Sequence, residues 1–572
     1  MEPYEKNDAP WLKSYGEVKF HLDYPQKTMW QAVFDTAEKY PKETALSFMG
    51  CHVTYAELKR MITLCARSFH AAGVRENDVV TICMPNVPQA VYCLYAVNML
   101  GAKASMIHPL SAENEIAFYI DEVKSRFVIT LDMFYDKIEN VLDKVSVEKV
   151  IVSSIADGLD FPLSLGYRLA QGRKIKKAPE NDKVMSWKRF ISAGNSVNDG
   201  YLAYKNKDDG AVILFSGGTT GTTKGILLTN YNFNALAVQT AAMCNKRIVK
   251  TSMLAAMPVF HGFGLGVCVH TMLVAGGRSI LVPRFNVSSY AKLLKKEKPN
   301  YIAGVPTLYK AITQCKDMDG VKLDCLMGVF SGGDNLSTEL KREFDKFLGE
   351  HGASVRVREG YGMTECVAAS CLTPYHIEKE GSIGLPYPDT YYKICKVGTT
   401  KTVNCGEEGE ICLCGPTVMK DYIGKSQETE DTLRVHEDGR TWLHTGDLGV
   451  MDEDGFVYFR QRMKRMIVTS GYNVYPSQIE KILEAHKAVQ MSCVIGVKDE
   501  YKMQKVKAFV VLNEGYGNTP QLKQELFEHC KKHIAKYAMP YEIEVRHMLP
   551  KTLVGKVAYR QLEKEEAERN EK

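Results

Sequence analysis

The stretch ILFSGGTTGTTKGILLTN, residues 213–230, is the most informative part of the chain. It reads as an apolar strand ending near Phe215, a loop rich in glycine, serine and threonine, and a second apolar run. The loop carries one lysine, Lys224. Glycines let backbone N–H groups approach anionic oxygens, hydroxyls add donors, and the lysine adds a compact positive charge. The stretch therefore predicts a loop that binds a polyphosphate.

Two common phosphate-binding motifs do not fit this loop. A P-loop requires Gly-Lys followed by serine or threonine, but Thr223 precedes Lys224 and Gly225 follows it. A dinucleotide-binding loop requires the spacing GxGxxG, which is absent here. For the loop taken alone, a flexible turn without a ligand remains the alternative.

The loop resembles the signature [ST]-[SG]-G-[ST]-[TS]-G-x-P-K-G of adenylate-forming enzymes, the superfamily of acyl-CoA synthetases, luciferases and adenylation domains. Residues 216–225 match it except at Thr223, where proline is usual. The exchange makes the loop less rigid but removes no hydrogen-bond donor. The resemblance implies that ATP phosphates are bound by Ser216, Gly217, Gly218, Thr219, Thr220, Gly221, Thr222 and Lys224.

The segment MPVFHGFG, residues 257–264, resembles the P-x-F-H-x-x-G motif at the acid-binding pocket of the superfamily. The resemblance implies a catalytic-site position for His261. Members that activate amino acids usually carry an aspartate here to pair the substrate amine, and this chain has none. Phe260, Phe263 and Met363 also favour an apolar acyl or aryl acid. For His261 alone, a structural histidine with satisfied hydrogen bonds remains the alternative.

Two further segments resemble the adenine and metal motifs. SGGDNL, residues 331–336, resembles the loop beside adenine, although Ala-Pro is more frequent where Asp334 and Asn335 stand. EGYGMTE, residues 359–365, resembles YGxTE, which read alone is a turn with a helix cap. The resemblance implies that Tyr361 stacks on adenine, Thr364 donates to the α-phosphate, and Glu365 binds Mg²⁺, a cation that prefers oxygen ligands. The implied nucleotide-binding set here is Gly332, Gly333, Asp334, Gly360, Tyr361, Gly362 and Met363.

Three later segments complete the superfamily's order of motifs. HTGDLG, residues 444–449, resembles the TGD motif, so Asp447 is expected to accept hydrogen bonds from the ribose hydroxyls. PYEIEVRHMLPKTLVGKVAYR, residues 540–560, resembles the terminal P-x-T-x-x-G-K-x-x-R motif and implies a catalytic lysine at Lys556. RQRMKRMIVTSGYNVYPSQIE, residues 460–480, resembles the interdomain linker and the first motif of a mobile domain. There the resemblance implies that Arg462 reaches the ribose, that Lys464 is the hinge, and that Ser470, Gly471 and Tyr472 face the thiol tunnel.

The order of predicted elements indicates an α/β fold. Short β-branched runs at residues 79–84, 126–131, 149–155 and 211–216 alternate with helical segments, which favours largely parallel sheets in several layers. Residues 407–459 read instead as short strands with Asp-Gly turns, typical of an antiparallel, barrel-like region. The basic stretch at residues 460–467 precedes a compact α+β pattern. We therefore predict an N-terminal domain over residues 1–462, which binds AMP and the acid, and a small mobile C-terminal domain over residues 463–572.

Composition excludes several classes of protein. The 572 residues carry 73 Lys and Arg against 68 Asp and Glu, a net charge of +5 that gives no reason to expect a nucleic-acid partner. The sixteen cysteines form no CxxC pair, and the group Cys405, Cys412 and Cys414 has no histidine nearby in sequence, which argues against zinc. Free thiols indicate a reducing compartment.

The same sequence bears on location. The polar, acidic N-terminus predicts no secretory leader, and the most apolar long window, residues 262–282, is broken by five glycines, so no membrane span is expected. These features favour a cytoplasmic protein. Residues 161–177 combine an apolar start with five basic residues. Contact with an anionic membrane is one interpretation, and a solvated loop is the favoured one.

The resemblance implies an ATP-dependent ligase that activates a medium- to long-chain fatty acid as acyl-AMP and transfers it to coenzyme A, releasing AMP and pyrophosphate. ATP, Mg²⁺ and coenzyme A are the implied cofactors. An aryl acid of the cinnamate or benzoate type is the first alternative substrate. Transfer to a carrier-protein thiol, oxidation as in luciferases, and a nucleotide sensor without chemistry remain further alternatives.

Overall fold

A computed structural model describes residues 9–172, 175–198, 200–216, 223–244, 248–469, 472–499, 503–552 and 557–570. Its helices, in chain order, are α1 (Met29–Lys39), α2 (Tyr55–Ala72), α3 (Pro88–Met99), α4 (Glu113–Glu122), α5 (Tyr135–Glu139), α6 (Leu163–Ala170), α7 (Trp187–Gly194), α8 (Asn230–Met243), α9 (Thr271–Ala275), α10 (Val287–Glu297), α11 (Pro306–Thr313), α12 (Thr338–Glu350), α13 (Ser426–Thr432), α14 (Pro476–Glu484), α15 (Pro520–His533) and α16 (Tyr559–Asn570).

Four sheets hold the described strands. In chain order these are β1 (Thr44–Phe48), β2 (Cys51–Thr54), β3 (Val79–Cys83), β4 (Lys103–Met106), β5 (Phe127–Leu131), β6 (Lys149–Ser153), β7 (Val184–Ser186), β8 (Gly210–Ser216), β9 (Lys224–Thr229), β10 (Ser252–Ala255), β11 (Arg278–Leu281), β12 (Tyr301–Gly304), β13 (Gly328–Ser331), β14 (Val357–Tyr361), β15 (Cys371–Leu372), β16 (Leu385–Pro386), β17 (Tyr391–Cys395), β18 (Gly409–Cys414), β19 (Asp421–Tyr422), β20 (Leu433–Val435), β21 (Thr441–Met451), β22 (Val457–Arg462), β23 (Ile467–Thr469), β24 (Tyr472–Val474), β25 (Val489–Asp499), β26 (Met503–Leu512) and β27 (Glu542–Val545).

Two large, mostly parallel sheets form the bulk of the chain. One has the order β16-β15-β14-β13-β12-β10-β11-β1-β2, and the other has the order β19-β9-β8-β4-β3-β5-β6-β7. Their strands are almost entirely buried apolar runs, such as β5 and β3, because helices cover both faces. The largest hydrophobic cluster lies between the sheets and includes the fully buried helix α3. The predicted α/β fold class is therefore confirmed.

An antiparallel sheet and a smaller sheet follow in the chain. The first has the order β17-β18-β21-β20 with β22 on β21, and its core contains the buried Trp11 and Trp442. This agrees with the antiparallel region expected at residues 407–459, although β17 begins earlier. The second, β24-β23-β26-β25 with β27 on β26, packs against α14, α15 and α16 as an α+β unit.

The chain changes sheets between β22 and β23. β22 ends at Arg462, which pairs with Asp447, and β23 begins at Ile467 and pairs with β24 and β26. A single 3-10 turn, Met463–Arg465, connects them. The predicted division at residues 462 and 463 lies beside this turn and stays a prediction.

The solvated loop favoured for residues 161–177 is wrong for part of that segment. Residues Leu163–Ala170 form the helix α6, because Tyr167 faces inward and packs against the largest hydrophobic cluster. None of the eight helix residues is fully buried. Among the helices of the described residues, none is both long enough and apolar enough to cross a membrane.

Candidate active site

One cavity of about 1660 Å³ lies where the sheets meet, and it collects nearly all described residues that the sequence selected. Strand ends and the loops that follow them supply most of its wall, as expected for sheets whose carboxyl ends face a crevice. The lining residues that the sequence predicted are Ser216, Lys224, His261, Gly332, Gly333, Asp334, Gly360, Tyr361, Gly362, Met363, Thr364, Glu365, Asp447, Arg462 and Lys464.

Several predicted residues lie outside the described part of the chain. They are Gly217, Gly218, Thr219, Thr220, Gly221, Thr222, Ser470, Gly471 and Lys556. The residues that flank two of these gaps line the cavity: Ser216 and Thr223 on one side, and Thr552 and Val557 on the other. Tyr472 begins β24, where it pairs with Thr469.

Asp447 is a buried polar group of the cavity with two side-chain partners. Its Oδ2 accepts a 2.7 Å hydrogen bond from the Tyr361 hydroxyl, and its Oδ1 lies 3.1 Å from Nε of Arg462. The negative charge of Asp447 raises the pKa of Arg462, which stays charged. A carboxylate held by a cation and a phenol is a strong acceptor for further hydroxyl groups.

The turn before Asp447 has a supporting network that the sequence did not reveal. Gly446 has a φ of +69°, and its N–H donates to Oε1 of Glu410 at 3.0 Å. Oε2 of Glu410 lies 2.8 Å from Nδ1 of His444, and Nε2 of His444 lies 3.0 Å from Nε2 of His436. Since a carboxylate only accepts, His444 donates from Nδ1 to Glu410. Burial is the main cause that lowers the pKa of His436 to about 4, which keeps this ring neutral.

This network also bears on the expectation that no histidine lies near the cysteines at residues 405–414. The fold places Nδ1 of His444 3.5 Å from Sγ of Cys412, so the expectation of no histidine near Cys412 is wrong in space. Glu410, Cys412 and His444 offer ligand atoms within 4.8 Å of one another. The alternation of β18, GEICLC, puts Glu410 and Cys412 on one face, and only the pairing with β21 brings His444 to them.

Glu365 and Lys224 meet through a tyrosine that the sequence analysis missed. The hydroxyl of Tyr422 donates to Oε1 of the buried Glu365 at 2.8 Å, and Nζ of Lys224 lies 4.5 Å from the centroid of the Tyr422 ring. Lys224 also forms an ion pair with Glu428 of α13. Tyr422 sits on β19, which pairs with β9 directly beside Lys224. Tyr422 stands 57 residues after Glu365 on a two-residue strand, so no local sequence pattern predicts that the two side chains meet.

Positive groups from separate parts of the chain converge on the cavity. Burial and then the charges of Lys224 and Arg560 lower the pKa of Lys464. Lys224 follows the glycine-rich loop, Lys464 is in the turn between sheets, and Arg560 is on α16. An anion bound among these cations relieves their mutual repulsion.

A second part of the cavity wall is apolar. Its lining belongs to the largest hydrophobic cluster and comprises Phe260, Phe263, Val267, Phe330, Ala368, Ala369, Leu372 and Tyr387. The loop after Glu365 lies close against the backbone of two glycines, where no side chain would fit. A Cβ on Gly262 would lie 1.5 Å from the Val367 oxygen, and one on Gly362 would lie 1.6 Å from the Ala368 oxygen. An apolar wall of this kind suits a hydrocarbon or aromatic group.

His261 lies in the cavity wall between these regions. Its Nδ1 accepts a 3.3 Å hydrogen bond from the backbone N–H of Phe263, at the start of the π-helical segment Phe263–His270. A second histidine, His108, packs against Phe260 with ring centroids 4.2 Å apart and the ring planes tilted by 45°, and burial lowers its pKa to about 4. No motif in the sequence selects His108.

Two sequence-family models match the chain. The family model described as AMP-binding enzyme matches residues 33–423, and the model described as AMP-binding enzyme C-terminal domain matches residues 478–556. The chain belongs to the AMP-binding enzyme family. The predicted membership of the adenylate-forming superfamily is thereby confirmed.

Individual relatives in this family cover almost the whole chain. The long-chain-fatty-acid–CoA ligase of Bacillus subtilis is 33% identical, over 98% of this chain and 99% of its own. A probable 4-coumarate–CoA ligase 1 of Dictyostelium discoideum is 29% identical, over 92% of this chain and 94% of its own. The ATP-bound crystal structure of MatB from Rhodopseudomonas palustris has a TM-score of 0.81 at 24% identity, covering 95% of this chain and 99% of that one, which supports the fold.

Proposed function

We propose that this AMP-binding enzyme is an AMP-forming acid–CoA ligase that acts on long-chain fatty acids. The observation that carries the proposal is one cavity that holds three kinds of group. Cations from three parts of the chain line it together with an apolar wall, and Asp447 is a carboxylate suited to accept hydrogen bonds from ribose hydroxyls. Such a cavity suits a nucleoside triphosphate together with an acid that has a hydrocarbon tail.

In the proposed complex, Asp447 accepts hydrogen bonds from the ribose hydroxyls, and Arg462 supports it from the other side. Tyr361 is oriented by its bond to Asp447 and offers its ring to the adenine. Thr364 is the donor to the α-phosphate, and Lys224 lies beside the β- and γ-phosphates after exchanging its partner Glu428. Lys556 is the proposed catalytic lysine, by resemblance, since it lies outside the described residues.

Glu365 fits the Mg²⁺ site that the superfamily implies. Tyr422 holds one of its oxygens, and among the described residues no donor contacts the second, Oε2. A buried carboxylate with one oxygen left over, beside phosphate oxygens, is a suitable ligand for a hard cation that keeps several waters. Bound there, Mg²⁺ would neutralise charge on the phosphate oxygens.

The first step is attack of a substrate carboxylate oxygen on the α-phosphorus, with cleavage of the bond to the bridging oxygen and release of pyrophosphate. Both reactants are anions, so Lys224 and Lys556 lower the barrier by stabilising charge that builds on the oxygens. In the second step the sulfur of coenzyme A attacks the acyl carbon, AMP leaves, and the thiol proton goes to solvent. We place the boundary of the mobile domain at residues 462 and 463 and its hinge at Lys464. By resemblance alone, residues 470–472 are proposed for the thiol site, since residues 470 and 471 lie outside the described residues.

Three observations support a long-chain acid. The full-length relative from Bacillus subtilis is named for this substrate, the cavity wall at residues 260–267 and 368–372 is apolar, and no aspartate stands where an amine would be paired. The Dictyostelium relative and the aromatic side chains of the same wall favour an aryl acid as the second candidate. We also propose a cytoplasmic location, which the sixteen free cysteines support.

The test is pyrophosphate release by the purified chain with ATP and Mg²⁺, over straight-chain acids of graded length and over benzoate and cinnamate. We expect release to rise with chain length and thioester to form when coenzyme A is added. Preference for the aryl acids would replace the substrate assignment and keep the ligase. Thioester formation only with a phosphopantetheinylated carrier protein would contradict coenzyme A as the acceptor.

A further inference from the structure

An exposed apolar surface lies far in sequence from every motif of the cavity. It is formed by the helix α6, the residues that lead into it, and the turn between β1 and β2. We call it the apolar face, and its members, with their exposed fractions, are Met49 (49%), Phe161 (80%), Leu163 (47%), Leu165 (49%) and Leu169 (53%). Side chains of this size are rarely exposed together without a partner.

The geometry of α6 explains why the face points outward. Tyr167 packs on the hydrophobic cluster inside, and Arg168 pairs with Asp157 at 3.3 Å, so the helix is anchored along one side. Leu165 and Leu169 are four residues apart and therefore share the opposite side. The helix is thus fixed to the protein with its apolar residues in solvent.

Three segments meet at this face. The backbone N–H of Asp160 contacts Sγ of Cys51 at 3.2 Å, which joins the start of α6 to the β1–β2 turn. A Cβ placed on Gly50 would lie 3.8 Å from Cδ1 of Leu163 and 3.7 Å from Nζ of Lys296. The helix α10, which carries Lys296, is therefore a direct neighbour.

The charges beside the apolar face are mainly positive. α10 presents the exposed lysines Lys292, Lys295 and Lys296, and in the described part of the chain no carboxylate forms an ion pair with any of them. Lys177 is likewise exposed and unpaired there. Lys176 is paired with Glu139, and Asp160 is the acidic residue within the face itself. Apolar side chains flanked by unpaired lysines complement a surface that is hydrocarbon inside and anionic outside.

We propose that the apolar face docks the protein on an anionic lipid bilayer. Phe161, Leu165 and Leu169 enter the boundary between headgroups and acyl chains, and Lys295 and Lys296 contact the anionic headgroups. An uncharged apolar protein surface would gain from the apolar residues but would leave the lysines without partners. Docking goes beyond the proposed reaction, and it places the enzyme where acids with long hydrocarbon tails accumulate.

The test is sedimentation of the purified full-length chain with phosphatidylcholine vesicles, with and without phosphatidylglycerol, in the absence of ATP and coenzyme A. We expect binding to the anionic vesicles that weakens with salt. The double variant L165S/L169S should bind at least tenfold more weakly, because two leucines no longer enter the bilayer. The double variant K295E/K296E should lose at least roughly 25-fold on anionic vesicles, about fivefold for each lysine charge removed, with little change on neutral ones.

Matched controls carry the same changes elsewhere. V435S/M548S removes two residues that are 67% and 76% exposed, and K532E/K536E reverses two exposed lysines of the C-terminal unit. Both controls should bind like the unchanged chain. Equal binding by L165S/L169S and the unchanged chain, or equal binding to neutral and anionic vesicles, would overturn the proposal.

A dimer that L165S/L169S converts to monomer, without vesicle binding by the unchanged chain, would assign the face to a second copy instead. Because binding is measured without substrates, failure of docking leaves the proposed reaction untouched. Failure of the reaction leaves docking equally untouched.

Discussion

The region around Asp447, proposed to bind the ribose, and the region around Lys224, proposed to bind the phosphates, are built in opposite ways. Around Asp447 the acceptor is buried, bonded to Tyr361 and Arg462, and held by a turn that Glu410 supports. Around Lys224 the lysine is engaged by Glu428, a residue that is itself partly exposed. In the proposed complex the ribose side is therefore arranged before ATP binds, whereas the phosphate side would exchange a protein carboxylate for a phosphate.

The largest effect is expected at the phosphate side, where charge develops during the reaction. Lys556→Ala should lower the rate of adenylate formation by about 100- to 1000-fold, the loss typical of one well-placed charge-stabilising donor. The same variant should still convert supplied acyl-AMP to the thioester. Stopped-flow measurement of each half-reaction checks this, and equal loss of both in a folded variant would contradict the assignment.

Asp447→Ala should produce the next largest effect, on binding of ATP. Loss of hydrogen bonds to a charged group corresponds to about 1.5–3 kcal/mol, or roughly 10- to 150-fold in the Kd of ATP. Tyr361→Phe removes only the hydroxyl that contacts Asp447 and should weaken ATP binding by a smaller factor. Calorimetric titration with ATP measures both, and an Asp447→Ala variant with unchanged Kd and unchanged melting temperature would refute the ribose assignment.

Glu410→Gln tests whether the support behind the ribose side matters. Glutamine keeps an acceptor for the N–H of Gly446 but removes the charge beside His444, so we expect the KM for ATP to rise about three- to tenfold with a smaller change in kcat. Glu437→Gln, an exposed glutamate on the neighbouring turn, is the matched control. Elemental analysis belongs with this experiment: one equivalent of zinc in the purified protein would replace the hydrogen-bonded account of Glu410, Cys412 and His444.

The smallest effect is expected from Glu428→Gln, which leaves Lys224 without its ion-pair partner. Since the pair is partly exposed, it contributes at most about 1 kcal/mol, and ATP should bind up to roughly fivefold more tightly. Glu430→Gln on the same helix is exposed and should change nothing. Weaker ATP binding in Glu428→Gln would mean that Glu428 orients Lys224 for the phosphate and does not compete with it.

The sequence predicted four strands of one large sheet, β3, β5, β6 and β8, because buried strands such as Val79–Cys83 and Phe127–Leu131 are continuous apolar runs. It also predicted the members of the cavity that stand in contiguous motifs, such as Tyr361 and Asp447. It did not predict side chains that contact the cavity residues from distant positions in the sequence.

Tyr422 reaches Glu365 only through the pairing of β19 with β9, and Glu410 reaches His444 only through the pairing of β18 with β21. The pairing register of strands that are distant in sequence cannot be predicted from a local sequence pattern. The helix α6 was missed for a related reason: its inward anchor, Tyr167, is a single residue among exposed ones.

The turn Met463–Arg465 lies between strands of different sheets, so no interstrand ladder crosses it. Near this turn the two units are joined by the Ser477 hydroxyl on the Arg460 carbonyl and the Tyr475 hydroxyl on Glu408, both exposed. Water replaces such bonds at little cost. The proposed swing of the C-terminal unit would therefore break few protein bonds there, and the proposed occupant of the cavity, first triphosphate and then adenylate, would set how long each orientation lasts.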